Sequence, residues 1–392
     1  MIKIILIVLL LFFIVLLIYK NIYTSINSEN FVQINKCDSK LSWKVNTCPY
    51  LLTENIKKVF EENNIYENKD NSQSKIYLPC TYDNIEKEIN AMNLDKDEQN
   101  KVFIIHNADQ IVAKDYLWKN LVEKYGLEDC LNLMPMTYIL YEDNDVKRMK
   151  QDHEVNKLYI LKKNIQRQEG LKICNNLDEI IKNKNEYVLA QELLQDPYLI
   201  NGRKINLRIY VLVVCNKDNF DVYVYNDGFM YYTKDLFKPN SKEFGPNITT
   251  GYIDRWVYDV NPLTHQDFRE YLDKQRKLTQ VEERVKNRGN KLSEYVFNNI
   301  NELIKKVFGA FYGKLGSGEK LYNQLSFQLF GVDVAIDENL NAKIMEVNKG
   351  PDLGSKDKRD GDIKKGLIKD MLKIIKAIDD DSDNKFIKVL DL

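Results

Sequence analysis

Two alternating runs constrain this chain most: Phe327-Gln-Leu-Phe-Gly-Val-Asp-Val-Ala-Ile336 and Ala342-Lys-Ile-Met-Glu-Val-Asn348. Alternation is the period of a strand, and the stretch Asp337-Glu-Asn-Leu-Asn341 between them is turn-like, so the segment predicts a β-hairpin. Pairing Ile336 with Lys343 would set Asp333 opposite Glu346. Directly opposed Cβ atoms lie roughly 4.5–5.5 Å apart, where like charges destabilise unless something bridges them. Asn348, two residues beyond Glu346, projects to the same side. Three hard oxygen donors on adjacent strands suit Mg2+ shared with substrate phosphates. A solvated polar sheet face is the plainer alternative, and a one-residue slip would break the set apart.

The 392 residues can hold one large α/β unit or two to three subdomains. A net charge of -1 with 29% charged residues gives no electrostatic case for nucleic acid. Ile4 to Tyr19 is unbroken apolar sequence between Lys3 and Lys20. As a helix it reads as a single transmembrane anchor over residues 1–20, slightly short for a hydrocarbon core of about 30 Å. Tyr19-Lys-Asn-Ile-Tyr23 is unlike the small residues of a signal-peptide cleavage site. The six cysteines (Cys37, Cys48, Cys80, Cys130, Cys174, Cys215) lack paired metal spacing and read as reduced thiols of a cytosol-facing domain; Cys37, Cys48 and Cys80 would form a disulfide only on export.

A polar tether over 21–36 is followed by an N-terminal α/β subdomain over 37–157, with helical periodicity at Leu52–Glu62, Tyr82–Met92 and Lys114–Tyr125. Lys101–His106 is a candidate buried strand, and the charged segment Glu142–Lys157 reads as a mobile connection. A denser α/β region, 158–380, opens with strands Leu158–Leu161, Leu171–Cys174 and Tyr187–Leu194. Lys204–Cys215 and Phe220–Tyr225 read as a long hairpin, 265–312 as mostly helical, and Asp362–Ile378 as an amphipathic helix before a tail, 381–392.

Lys204-Ile-Asn-Leu-Arg-Ile-Tyr210 alternates strictly, so Lys204, Asn206 and Arg208 share one strand face while Ile205, Leu207 and Ile209 go to the core. Two cations on one face need an anion, and with the acidic hairpin downstream a phosphate becomes the favoured one over bulk solvent. Lys162 ends a buried-looking strand ahead of a polar loop and can reach phosphates as a point charge. The loop itself is poor in glycine, a weak phosphate cradle. His106, His153 and His265 have no mutual spacing that suggests a triad or zinc site.

Ala190-Gln-Glu-Leu-Leu-Gln-Asp-Pro-Tyr-Leu-Ile-Asn-Gly-Arg-Lys-Ile-Asn-Leu-Arg-Ile-Tyr-Val-Leu-Val213 resembles the central signature of the tubulin–tyrosine ligase-like family, an ATP-grasp group. Ser326-Phe-Gln-Leu-Phe-Gly-Val-Asp333 and Lys343-Ile-Met-Glu-Val-Asn348 look like its metal-binding signature, including the spacing of 13 between Asp333 and Glu346. Tyr159-Ile-Leu-Lys162 resembles the family's Trp-Ile-Val-Lys strand, and Lys114-Asp-Tyr-Leu117 and Pro135-Met-Thr-Tyr138 match upstream pieces. The resemblance implies an ATP-grasp fold, with Lys162 and Lys204 on ATP phosphates and Gln191, Glu192, Leu193 and Leu194 holding the adenine. It places Asn206 beside the nucleotide, Arg208 at the γ-phosphate, and Asp333, Glu346 and Asn348 on Mg2+. Asn247-Ile-Thr-Thr250 resembles a His-Leu-Thr-Asn motif of the same cleft, so glycosylation at its sequon would be awkward. Three departures stand out. Asn206 replaces an Asp, Tyr231 falls where the family has a second arginine after a Tyr-x-x-Gly turn, and the loop after Lys162 is about one residue short.

The implied reaction is ATP- and Mg2+-dependent joining of an amino acid to a protein carboxylate, of tubulin or another acceptor, through an acyl phosphate. It needs no enzyme nucleophile, only positioning and charge stabilisation. Two other classes compete: a catalytically weakened nucleotide-binding scaffold, favoured by Asn206 and Tyr231, and a small-molecule carboxylate–amine ligase.

Overall fold

The computed structural model describes residues 41–45, 53–68, 74–79, 84–94, 100–164, 170–316 and 318–392. The expected anchor over 1–20, the tether over 21–36, most of the loop after Lys162, and Cys37, Cys48 and Cys80 lie outside these described residues. Among the described residues no helix is long and apolar enough to cross a membrane.

The strands run, in chain order, β1 (Ser42–Val45), β2 (Tyr66–Glu67), β3 (Ile76–Leu78), β4 (Lys101–Val102) and β5 (Thr137–Ile139). There follow β6 (Tyr159–Lys162), β7 (Leu171–Cys174), β8 (Leu189–Glu192), β9 (Leu199–Ile200) and β10 (Arg203–Asn216). The last are β11 (Asn219–Thr233), β12 (Thr249–Thr250), β13 (Leu325–Ile336), β14 (Ala342–Asn348) and β15 (Phe386–Asp391). Two sheets result, a mixed α/β architecture consistent with ATP-grasp. The larger runs β12-β11-β10-β13-β4-β3-β1-β2, with β14 added to β13, β15 to β11 and β9 to β10; the smaller is β5-β8-β6-β7.

Alternation sorts the side chains as expected on β10. Ile205, Leu207 and Ile209 enter the main core with Phe330, Val332 and Val334 of β13, while Lys204, Asn206 and Arg208 face the other way. Helix Leu292–Gly309 covers that core with Val296, Ile300, Leu303 and Val307, its apolar stripe at helical spacing. In the smaller sheet, Tyr159 and Leu161 of β6 pack with Met149 and Ile180, so Ile160 and Lys162 turn to the opposite face.

The acidic hairpin forms, but by a different route from the simple register. Ile336 pairs with Ala342 rather than Lys343, and a bulge between Asp333 and Val334 shifts the register so that Asp333 still faces Glu346. The inserted residue is Met345. It lets Met345 and Glu346 both leave the core while Ile344 and Val347, three apart, both enter it. Asp337 shapes the turn by accepting from the backbone N–H groups of Asn339 and Asn341 at 2.9 and 2.8 Å.

Other differences follow from contacts that no local pattern reports. Glu142–Lys157 is largely a helix, Asp143–Asp152, because Val146 and Met149 find an apolar surface to bury. The second strand of the long hairpin runs on to Thr233; Tyr225-Asn-Asp-Gly228 is an irregularity within it, not a turn. Gly228 is required there, since a Cβ would sit 2.4 Å from the Arg208 carbonyl oxygen. The segment read as a tail ends in β15, which pairs with Asp221–Tyr225. Cys130, Cys174 and Cys215 are free and buried; the apolar runs around Cys174 and Cys215 already mark those two as small core residues.

Phe330 is fully buried and packs edge-on to Phe308, with ring centroids 5.6 Å apart. Phe330→Ala should cost about 3–5 kcal/mol by urea denaturation. A loss below about 1 kcal/mol would mean that this part of the core does not carry the sheet.

Candidate active site

The two sheets face each other across a cleft with about 900 Å³ of empty space, partly open to solvent. The smaller sheet and its exit contribute Ile160, Lys162, Leu171, Leu193 and Leu194; the larger contributes Lys204, Asn206, Asp333, Ala335, Met345 and Glu346. Asn247, Ile248 and Thr249 close one side, and Lys114, from the start of helix Lys114–Tyr125, reaches in from another. One end is apolar and the other charged. Ile160 and Leu193 pack with Ile173, Leu171 and Ile248 at the apolar end, a shape and polarity that suit a flat heterocycle.

Both expected lysines are buried at this cleft. Lys162 Nζ donates to Gln191 Oε1 at 2.8 Å, and Lys204 Nζ donates to the Leu194 carbonyl at 2.8 Å. Burial pushes each ammonium down to about 8, with nearby Glu346 opposing the shift at Lys162 and Asp196 opposing it at Lys204. Two amines desolvated in one cleft, with neutral oxygens as hydrogen-bond partners, are poised for an anion.

At the charged end, β10, β13 and β14 set Arg208, Asp333 and Glu346 side by side in direct cross-strand register. Arg208 grips Asp333 with two hydrogen bonds, Nε to Oδ1 at 2.7 Å and Nη2 to Oδ2 at 3.3 Å. Its guanidinium also lies over the Tyr231 ring, 5.1 Å from the centroid. Burial pushes Asp333 up to about 6, against the pull of Arg208 and with the help of Glu346. Burial also pushes Glu346 upward, but Lys114, Lys162 and the Asn348 amide outweigh it and leave that carboxyl below its ordinary value. Asn348 Nδ2 donates to Glu346 Oε1 at 3.1 Å.

The donor set fits a hard divalent cation. Two half-buried carboxylates side by side repel each other, and the Asn348 amide beside them can offer its oxygen. Among the described residues no three His, Cys, Asp or Glu side chains gather to cage a metal by themselves. An ion here would therefore complete its shell with phosphate oxygens and water, as Mg2+ commonly does.

Of the expected site residues, Lys162, Leu193, Leu194, Lys204, Asn206, Asp333 and Glu346 line the cleft. Gln191 lies beneath it as the partner of Lys162, and Asn348 sits behind Glu346. Glu192 does not share the cleft face: it pairs across the strands with Tyr159, on the opposite face from Ile160, and its carboxylate binds Lys157 at 2.6 Å. Asn247 is buried and spends its amide hydrogens on the carbonyls of Ser241 and Glu243. Two contacts escape sequence reasoning, although both Lys114 and Tyr231 lie in segments that the family resemblance had marked. Lys114 is brought in by a helix with no spacing relation to the strands, and Tyr231 meets Arg208 only because β11 runs past Gly228.

A sequence model described as the tubulin-tyrosine ligase family matches residues 92–385. A probable beta-tubulin polyglutamylase of Tetrahymena thermophila is 25% identical over 281 residues, which is 68% of this chain and 23% of that protein. The tubulin monoglutamylase TTLL4 of Mus musculus is 26% identical over 68% of this chain and 22% of its own length. The tubulin polyglutamylase TTLL7 of Homo sapiens is 24% identical over 68% of this chain and 31% of its own length. The chain therefore spans less than a third of these relatives. With its family signature lodged in the cleft described above, this chain belongs to the tubulin-tyrosine ligase family.

Proposed function

We propose that the cleft binds MgATP and joins an amino acid to a protein carboxylate, with glutamate as the leading donor and tubulin the leading acceptor. One observation carries the reading: Lys162 and Lys204 converge from different sheets on the cavity that holds the Asp333–Glu346 pair. The named activities of the relatives, tubulin glutamylation, support donor and acceptor. On this reading the fold is an ATP-grasp, whose sheets close over the nucleotide.

The purine would lie among Ile160, Leu171, Leu193 and Ile248, beside the backbone of 191–194. Lys162 and Lys204 would hold phosphate oxygens, and Arg208 would move toward charge on the transferring group. Asp333, Glu346 and Asn348 would hold Mg2+, which when bound neutralises charge on the phosphates. The acceptor carboxylate attacks the γ-phosphorus and ADP leaves. The donor amine then attacks the acyl carbon, loses its proton and expels phosphate, leaving an amide. Catalysis is positioning and electrostatics.

The weakened-scaffold reading draws on one feature. Asn206 and Tyr231, two of the three departures from the family pattern, face each other directly across β10 and β11. Localisation on a membrane rests on the apolar residues 4–19, and a cytosolic orientation on the cysteines read as reduced thiols, with lesser support from Asn247, whose committed amide would not accept a glycan.

Mass spectrometry of tubulin, and of total acceptor protein, after incubation with the chain, MgATP and labelled amino acids should show a mass increase on acceptor carboxyl groups. ATP binding with no amino-acid transfer to any acceptor would favour the scaffold, and turnover without protein would favour the small-molecule ligase. Glu346→Gln should abolish transfer with an unchanged thermal melt; retained activity would refute the metal assignment. MgATP affinity should also depend on pH. A bound triphosphate favours the charged lysines, so above about pH 8 binding must take up protons and weakens, by up to about tenfold per pH unit for each lysine. Below pH 7 both are already protonated and contribute no slope. Calorimetry showing flat affinity from pH 7 to 9.5 would remove the lysines from the phosphate site.

A further inference from the structure

We propose that Tyr231 is a positioning residue that keeps the Arg208 guanidinium on Asp333, so that the cleft admits a divalent cation only together with nucleotide phosphates. The inference rests on the metal reading above and adds to it the order of binding and the side chain that enforces it.

Arg208 is confined on several sides. Asp333 takes two of its nitrogens, at 2.7 and 3.3 Å. The Tyr231 ring covers the guanidinium at 5.1 Å. Gly331 lies against it as well: a Cβ there would sit 3.0 Å from Nη1 and 3.0 Å from Pro351 Cβ, so the backbone is as close as glycine permits. Along the same strand face Asn206, across from Tyr231, is neutral and offers no carboxylate to draw the cation away. Glu346, the other nearby acid, is engaged by the Asn348 amide and lies in the field of Lys114 and Lys162 first and of Arg208 less strongly.

Both Asp333 oxygens are thus committed to Arg208, and a bare cation must break a partly buried bidentate pair to reach them. A triphosphate changes the balance because it carries its own negative charge, onto which the guanidinium can transfer as the metal arrives. The ring makes the closed arrangement more durable through its π face, so the aromatic surface matters and the hydroxyl does not.

The test is Mn2+ binding to the full chain, followed by water-proton relaxation enhancement, which separates protein-bound from ATP-bound Mn2+. The unmodified chain should take up Mn2+ with ATP present and bind it weakly without. Tyr231→Ala should tighten nucleotide-free Mn2+ binding roughly tenfold, Tyr231→Phe should restore the original behaviour, and Arg208→Met should give the largest gain. Circular dichroism checks each variant, and Tyr231→Leu, closer in volume, replaces the alanine variant if that one unfolds. If the unmodified chain binds Mn2+ with ATP but Tyr231→Ala and Tyr231→Leu leave nucleotide-free binding unchanged, the positioning role is overturned and the metal reading stands. If the unmodified chain binds Mn2+ equally well without ATP, the gating is overturned. If it binds no Mn2+ even with ATP, the metal reading falls and takes this inference with it.

Discussion

Everything at the charged end of the cleft depends on two carboxylates, Asp333 and Glu346, being held next to each other and partly shielded from water. Each buried charge costs several kcal/mol to desolvate, and like charges add repulsion. The fold meets this cost with cations from three directions. Arg208 comes from the neighbouring strand, Lys162 from the other sheet, and Lys114 from a helix start. The interaction that endangers the fold is therefore also the one that recruits the site.

The division of labour between the sheets follows from this. The larger sheet carries the acids and Arg208 on a rigid frame of paired strands backed by the main core. The smaller sheet carries Lys162 and the apolar wall on its own separate core. The hydrogen-bond partners of both lysines are neutral oxygens, Gln191 Oε1 and the Met345 carbonyl for Lys162 and the Leu194 carbonyl for Lys204, so neither forms a direct ion pair. Binding an anion between the sheets is then favourable to both, which is the physical sense in which two sheets can grasp a ligand.

Much of this was legible in the residues. The face shared by Lys204, Asn206 and Arg208 follows from strict alternation, as does the core face opposite it. The pairing of Asp333 with Glu346 was also legible, although the simple register reaches it wrongly at the turn and a bulge at Met345 corrects it. A hint was present, because Ile344 and Val347 cannot both be buried on an unbroken strand. Glu192 illustrates the opposite case: a motif places it in the cleft, while strand parity turns its side chain to the far face. The helix Asp143–Asp152 and the strand Phe386–Asp391 were not legible, since each exists for a surface supplied by distant residues.

By itself the sequence determined most of the long strands, their two-sided character, the facing pair of acids and the family to which they belong. Tertiary structure alone decided that Lys114 joins the site, that Tyr231 stacks on Arg208, and that Arg208 is spent on Asp333. The reason is range. Side-chain alternation is a property of neighbouring bonds and repeats every two residues, whereas which charge meets which is set by how sheets and helices far apart in the chain close over one another.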